Sequence, residues 1–131
     1  MKKGIVLNGP ISETIANMGH TDTMVIADCG LPIPSTTRKI DLALTKGIPG
    51  FIDTVDAVLS ELEVEEAFVA REMPDRSPDL FGKLKESLGN IPVRYISHEE
   101  LKTMAKDSKA CVRTGECTPY ANVILKSGTT F

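Results

Sequence analysis

Residues 19–34 read Gly19-His20-Thr21-Asp22-Thr23-Met24-Val25-Ile26-Ala27-Asp28-Cys29-Gly30-Leu31-Pro32-Ile33-Pro34. Thr23–Ala27 is apolar and rich in branched residues, so it reads as a strand. Asp28 closes it, and the glycine and prolines of Gly30–Pro34 open an irregular stretch. An acidic residue at a strand end lies where open α/β sheets place ligand groups. The Asp28 carboxylate could accept hydrogen bonds from a ligand's hydroxyls, orient a histidine, or simply fix its own turn. Asp22 precedes the strand and suits a structural role.

Downstream, similar runs predict strands at Ile40–Leu44, Val64–Ala70, Val93–Ile96, Ala110–Arg113 and Asn122–Lys126. Phe51, Ile52, Val55, Val58, Leu59 and Leu62 recur at helical steps, the mark of one buried helix face. Leu80, Leu84 and Leu88 repeat that spacing as far as Gly89, and Leu101, Met104 and Ala105 share a face of His98–Ala105. A short first helix is predicted before the strand, with Ser12 as N-cap and Gly19 as C′ residue. The longest irregular stretches are Gly30–Ser35 and Met73–Pro78.

Alternating strands and helices predict an α/β fold, a three-layer sandwich with a mixed central sheet and helices on both faces. A mixed sheet is expected because several crossovers are short and the 110–126 pair reads as hairpin-like. No repeat, linker or low-complexity tract divides the chain, so residues 1–131 form one domain of ordinary size.

Composition excludes several classes of function. A net charge of -3 argues against nucleic-acid binding through a basic surface. No apolar run approaches the ~20 residues that span a bilayer, so membrane insertion is not expected. The four apolar residues between Lys3 and Asn8 at most resemble no secretory signal, and a cytoplasmic location is expected. Cys29, Cys111 and Cys117 lack metal or redox spacing and read as small thiols in a reducing compartment. No metal site is proposed.

The two histidines are placed differently. His20 follows the first helix, whose negative end would favour imidazolium. Ser97-His98-Glu99-Glu100 fits a capping box, which puts His98 at N1, where the positive end favours neutral imidazole. Such a division suits an acid and a base. The bias is only about 0.3–1 kcal/mol at exposed helix ends, and a histidine after a helix is often just a surface cap.

Arg113-Thr114-Gly115-Glu116-Cys117-Thr118-Pro119-Tyr120-Ala121-Asn122 is a polar loop leading into an apolar strand. If residues 120–122 are extended, Tyr120 and Asn122 share a face and offer donors and acceptors to a polyhydroxylated ligand. Arg113 and Glu116 are expected to pair across the turn. Lys102, one helical turn after His98, could reach the same pocket or remain solvated. No dinucleotide, P-loop or nucleophile-elbow pattern occurs, so no cofactor is implied. His, Asp, Tyr and Asn, with Lys102 as a further candidate and without a cofactor, suit proton movement on a small polar substrate.

Met1-Lys2-Lys3-Gly4, Gly19-His20-Thr21-Asp22, Asp28-Cys29-Gly30-Leu31-Pro32-Ile33-Pro34 and Ile40-Asp41-Leu42-Ala43-Leu44 resemble the D-ribose pyranase family. So do Ser97-His98-Glu99-Glu100, Arg113-Thr114-Gly115-Glu116 and Thr118-Pro119-Tyr120-Ala121-Asn122, and the order of these motifs is similar end to end. The resemblance implies conversion of β-D-ribopyranose to β-D-ribofuranose, the form that ribokinase phosphorylates. It implies His20 as proton donor and Asp28, His98, Tyr120 and Asn122 as sugar ligands, with Lys102 added from its helix position. It further implies a homo-oligomer, a ring-shaped decamer whose sites are completed by a neighbouring subunit. Cys29 stands where the family more often has Ala, and the stretch from Ala70 to Arg76 departs from a more acidic pattern. Alternative readings are an L-fucose mutarotase, a non-catalytic sugar-binding accessory of ribose uptake, and a structural subunit.

Overall fold

In a strand, successive side chains face opposite ways, and the central strands here are apolar in both directions. In β1 (Thr23–Ala27), Met24 and Ile26 enter one core while Val25 and Ala27 enter another. A strand of this kind needs cover on both faces, and the chain supplies it. The computed structural model describes all 131 residues. Its other strands are β2 (Lys39–Asp41), β3 (Val64–Ala70), β4 (Val93–Ile96), β5 (Ala110–Arg113) and β6 (Val123–Ser127). The six lie in one sheet in the order β2-β5-β1-β6-β3-β4. β1 pairs parallel with β5, β5 with β2 and β3 with β4, whereas β6 runs antiparallel between β1 and β3. Five strands therefore share one direction.

The larger core lies under α1 (Gly9–Asn17), α2 (Phe51–Leu59) and α4 (Pro78–Leu88), which contribute Ile11, Phe51, Val55, Val58, Leu84 and Leu88. The smaller lies under α5 (His98–Ala105), where Leu101 and Ala105 cover Val25, Ala27, Phe68, Cys111 and Ile124. Leu31 completes that second core from the segment after β1. The expected three-layer α/β sandwich with a mixed sheet is thus observed, with unequal outer layers. Each fully buried aliphatic or aromatic side chain contributes about 1.5–3 kcal/mol.

Several local expectations are corrected. β2 ends at Asp41, because the Asp41 carboxylate accepts the Ala43 N–H at 3.0 Å and turns the chain out of the sheet. β6 begins one residue later than expected, at Val123. β5 and β6 form no hairpin, since β1 lies between them. Asn8, not Ser12, caps α1: its Oδ1 accepts the Ile11 N–H at 2.9 Å, and Pro10 opens the helix. Gly19 has no left-handed backbone, and Thr21 takes that conformation instead, at φ 73°. Met73–Pro78 is not irregular, for Met73–Arg76 is a short helix, α3, and Pro78 begins α4. Pro74 sits in the first turn of α3, where its missing N–H costs nothing.

One consequence of topology matters for function. The carboxyl ends of β1, β3, β4 and β5 all reach the same edge of the sheet, with Asp28, Arg71, Ser97 and Thr114 just beyond them. His20 and Thr21 precede β1 at the opposite edge, where the Thr21 N–H donates to the Ser127 carbonyl at 2.9 Å.

Candidate functional site

Ligands of open α/β sheets bind beyond the carboxyl ends of the parallel strands, and a cavity of about 410 Å³ lies there. Asp28, Leu31, Pro32, Arg76, His98 and Tyr120 line it. The volume falls within the range of small-molecule sites.

Asp28 fixes its own turn, one of the roles considered for it, and also binds Asn122. Its Oδ1 accepts the Gly30 N–H at 2.9 Å, which fixes the turn after β1. Its Oδ2 accepts the Asn122 side-chain amide at 3.0 Å, and Asn122 Oδ1 accepts the Asp28 N–H at 3.0 Å. Asn122 is fully buried, so this reciprocal pair clamps the end of β1 to the start of β6. A carboxylate offers about four lone-pair sites, so Asp28 retains acceptor capacity on the cavity side.

Tyr120 is not extended. Its φ is 63°, and its carbonyl accepts the Asn122 N–H at 2.8 Å across a tight turn. Asn122 therefore points into the protein and Tyr120 into the cavity, rather than both along one strand face. A bulky residue in the left-handed region costs of order 1–3 kcal/mol, and such strain concentrates at ligand sites. The ring stands edge-on to His98, with centroids 5.1 Å apart and planes at 86°.

His98 occupies N1 of α5 as expected. Ser97 Oγ accepts the Glu100 N–H at 3.1 Å, and Glu100 Oε2 accepts the Ser97 N–H at 3.0 Å. The His98 backbone N–H donates to Glu72 Oε1 at 3.4 Å. Lys102 does not line the Asp28 cavity. Its ammonium pairs with Glu99 at 2.7 Å and holds that carboxyl below its usual range. It borders an adjoining depression that shares Pro32 with the cavity.

His20 is elsewhere. Its Nε2 lies 2.8 Å from Glu65 Oε2, on an exposed surface at the amino ends of β1 and β3. Lys126 and then His20 hold the Glu65 carboxyl below its usual range. The helix-end argument has little force here, because Met18 ends α1 in extended backbone and two further residues lead to the ring. The dipole's influence is confined to the last turn. Six residue steps separate Asp22 from Asp28, about 20 Å along a strand.

The loop neighbours are also repartnered. Arg113 pairs with Asp41 at 3.1 Å and donates to the Cys29 carbonyl, while Glu116 accepts the Phe51 N–H at 3.1 Å and caps α2. They do not pair across the turn, because each meets an element distant in sequence. Cys29 and Cys117 bring their sulfurs to 3.5 Å. Asp22 accepts the Gly19 N–H at 2.8 Å, a structural role as expected. No three His, Cys, Asp or Glu side chains are gathered to hold a metal ion, and no helix is long and apolar enough to cross a membrane. Arg76 at the cavity and Glu72 behind His98 escaped the sequence reading. Arg76 and Glu72 lie in a stretch read as departing from pattern or irregular, and Pro74 at a helix start was the available signal.

Comparison with known proteins shows the family of the chain. The chain is 58% identical to D-ribose pyranase of Coprothermobacter proteolyticus, with all of each chain covered. It is 50% identical to D-ribose pyranase of Geobacillus kaustophilus, covering all of this chain and 96% of the other. The structure of Bacillus subtilis RbsD complexed with D-ribose matches with a TM-score of 0.97 at 44% identity, over 100% of both chains. A fucose mutarotase from Streptococcus pneumoniae in complex with L-fucose matches at 0.85 and 23% identity over 100% of both chains, a likeness of fold. The family model described as the RbsD / FucU transport protein family spans residues 1–130, and the chain belongs to that family.

Proposed function

We propose that this chain interconverts β-D-ribopyranose and β-D-ribofuranose, an isomerase acting on the free sugar in the cytoplasm. The observation that carries the reading is the cavity in which Asp28, His98 and Tyr120 converge, with Asn122 bonded to Asp28 behind it. Full-length identity of 58% to a D-ribose pyranase supports the choice of ribose.

Ring opening needs a proton delivered to the ring oxygen and one taken from the anomeric hydroxyl. The aldehyde then recloses through a different hydroxyl. Asp28 and Tyr120 hold the hydroxyls, Asn122 fixes Asp28 from behind, His98 stands beside the anomeric centre, and Lys102 closes the rim after releasing Glu99. His20 is the proton donor. Acid–base catalysis of this kind contributes about 10²–10⁴-fold, which suffices for a reaction that already proceeds in water.

Within one copy, His20 lies at the wrong edge of the sheet to reach that cavity. The reaction therefore requires a second copy whose His20 enters the first copy's cavity. Exposed Ile5, Leu7, Leu44 and Ile48 support self-association, and Ile5 and Leu7 border an apolar groove with Leu42 and Pro49. The assembly is a homo-oligomer, a decamer by resemblance.

Saturation-transfer NMR between the pyranose and furanose signals of ribose tests the activity. Accelerated exchange is expected. Exchange at the uncatalysed rate in the presence of properly assembled protein contradicts the proposal, and bound ribose without exchange would point to a binding accessory.

A further inference from the structure

Two buried polar atoms in the chain have no hydrogen-bond partner: Glu72 Oε2 and His98 Nδ1. The two atoms do not bond each other as they stand, but their residues already meet, since Glu72 Oε1 accepts the His98 backbone N–H at 3.4 Å. Buried polar groups are rarely left unpaired, and an orphan pair in one place needs an explanation. Neither atom is open to solvent, so bulk water does not satisfy them.

Their chemistry is complementary. An ionised carboxylate only accepts, so a bond between these atoms requires the proton to sit on Nδ1. In a neutral imidazole, Nε2 then carries the free lone pair. His98 lines the cavity, and its Nε2 has no partner within the chain. We propose that Glu72 is a positioning residue, whose carboxylate accepts Nδ1–H of His98 and fixes the tautomer that turns a basic Nε2 toward the ligand.

The surroundings hold Glu72 in place for this. It leaves β3 at the N-cap of α3, its carbonyl accepts the Arg76 N–H at 3.0 Å, and fully buried Met73 follows it. The preceding Arg71 N–H is tied to the Ile96 carbonyl at 2.7 Å, which sets β3 and the start of α5 in fixed relation. A carboxylate behind a working imidazole is a recurrent device for selecting tautomer and ring orientation.

Resting on the ribose reading, the pair decides what His98 does there. A lone pair at Nε2 can take the proton of the anomeric hydroxyl, whereas an N–H there could only donate to the sugar. His98 is thereby the base of ring opening, and the proton donor lies elsewhere.

The test is ¹⁵N NMR of the histidine side chains in the full-length protein, assigned with His20→Gln. Protonated Nδ1 and unprotonated Nε2 are expected for His98 near neutral pH. Glu72→Gln is expected to shift the ring toward the Nε2–H form and to slow ribose exchange roughly ten- to hundredfold, with ribose affinity changed far less. An Nε2–H tautomer in the unaltered protein overturns the proposal, and so does a folded Glu72→Gln with unchanged tautomer and rate. If that variant fails to fold, the spectrum of the unaltered protein decides alone. The expected tautomer in a protein without ribose exchange would uphold the pair and refute the reaction, so the two failures are distinguishable.

Discussion

His20 and Asp28 lie beyond opposite ends of the same strand, β1, whose 5 residues alone span about 17 Å. Glu65 meets His20 at one edge of the sheet, and Asn122 meets Asp28 at the other. Strand geometry forbids the two from touching one small sugar within a single copy. A proposed reaction that needs both therefore makes assembly part of the chemistry.

The Asp28–Asn122 clamp carries the first prediction. Asn122→Ala vacates a fully buried position and leaves the N–H and one carboxylate oxygen of half-buried Asp28 without their partners. An unpaired buried group costs about 1–3 kcal/mol, so stability falls by about 2 kcal/mol and ribose binding weakens. Urea unfolding with ribose titration checks both, and an unchanged unfolding midpoint would contradict the clamp.

Glu116 carries a pH-dependent prediction. Partial burial alone would raise its carboxyl, but the Thr118 hydroxyl and the Phe51 N–H outweigh that and hold it below its ordinary value. A carboxyl lowered on folding adds stability above its unfolded pKa, and that stability is lost as pH falls through the folded value. Glu116→Gln is expected to cost about 1 kcal/mol at neutral pH, as loss of a helix cap does. In acid the two proteins should converge. Parallel unfolding curves at neutral and acid pH are the check, and a constant difference would refute the assignment.

The thiols should differ in reactivity. Burial pushes the Cys111 thiol up to about 12, whereas Cys117 is exposed and hydrogen-bonded to Cys29, whose thiol is raised by that contact. Since the thiolate is the reactive form, Cys117 is expected to alkylate first and Cys111 only after unfolding. Peptide mass mapping over time reads the order. Labelling of Cys111 in the folded protein at the Cys117 rate would contradict the packing.

Much of this was legible in the sequence, for identifiable reasons. Thr23–Ala27, Val64–Ala70, Val93–Ile96 and Ala110–Arg113 coincide with the observed strands because their apolar runs end at polar or turn residues. The capping box of Ser97 and Glu100 placed His98 correctly, being a local device. Partners distant in the chain were not legible. Glu65 lies 45 residues from His20, and Glu72 lies 26 from His98. Leu42 and Leu44 read as strand because they are apolar, yet Leu44 is exposed after the turn at Asp41. His20 and Asp28 are close in the chain, yet the length of β1 keeps them at opposite ends of the sheet.

The central claim is a ribose site shared between copies, and subunit mixing tests it most directly. His20→Ala and Asp28→Ala are each expected to lose ribose exchange, since each lacks one half of every site. Unfolded together and refolded as mixed oligomers, they should regain part of the activity, through sites that pair an intact His20 with an intact Asp28 cavity. Two separately inactive but assembled variants whose mixed oligomers stay inactive would contradict the account.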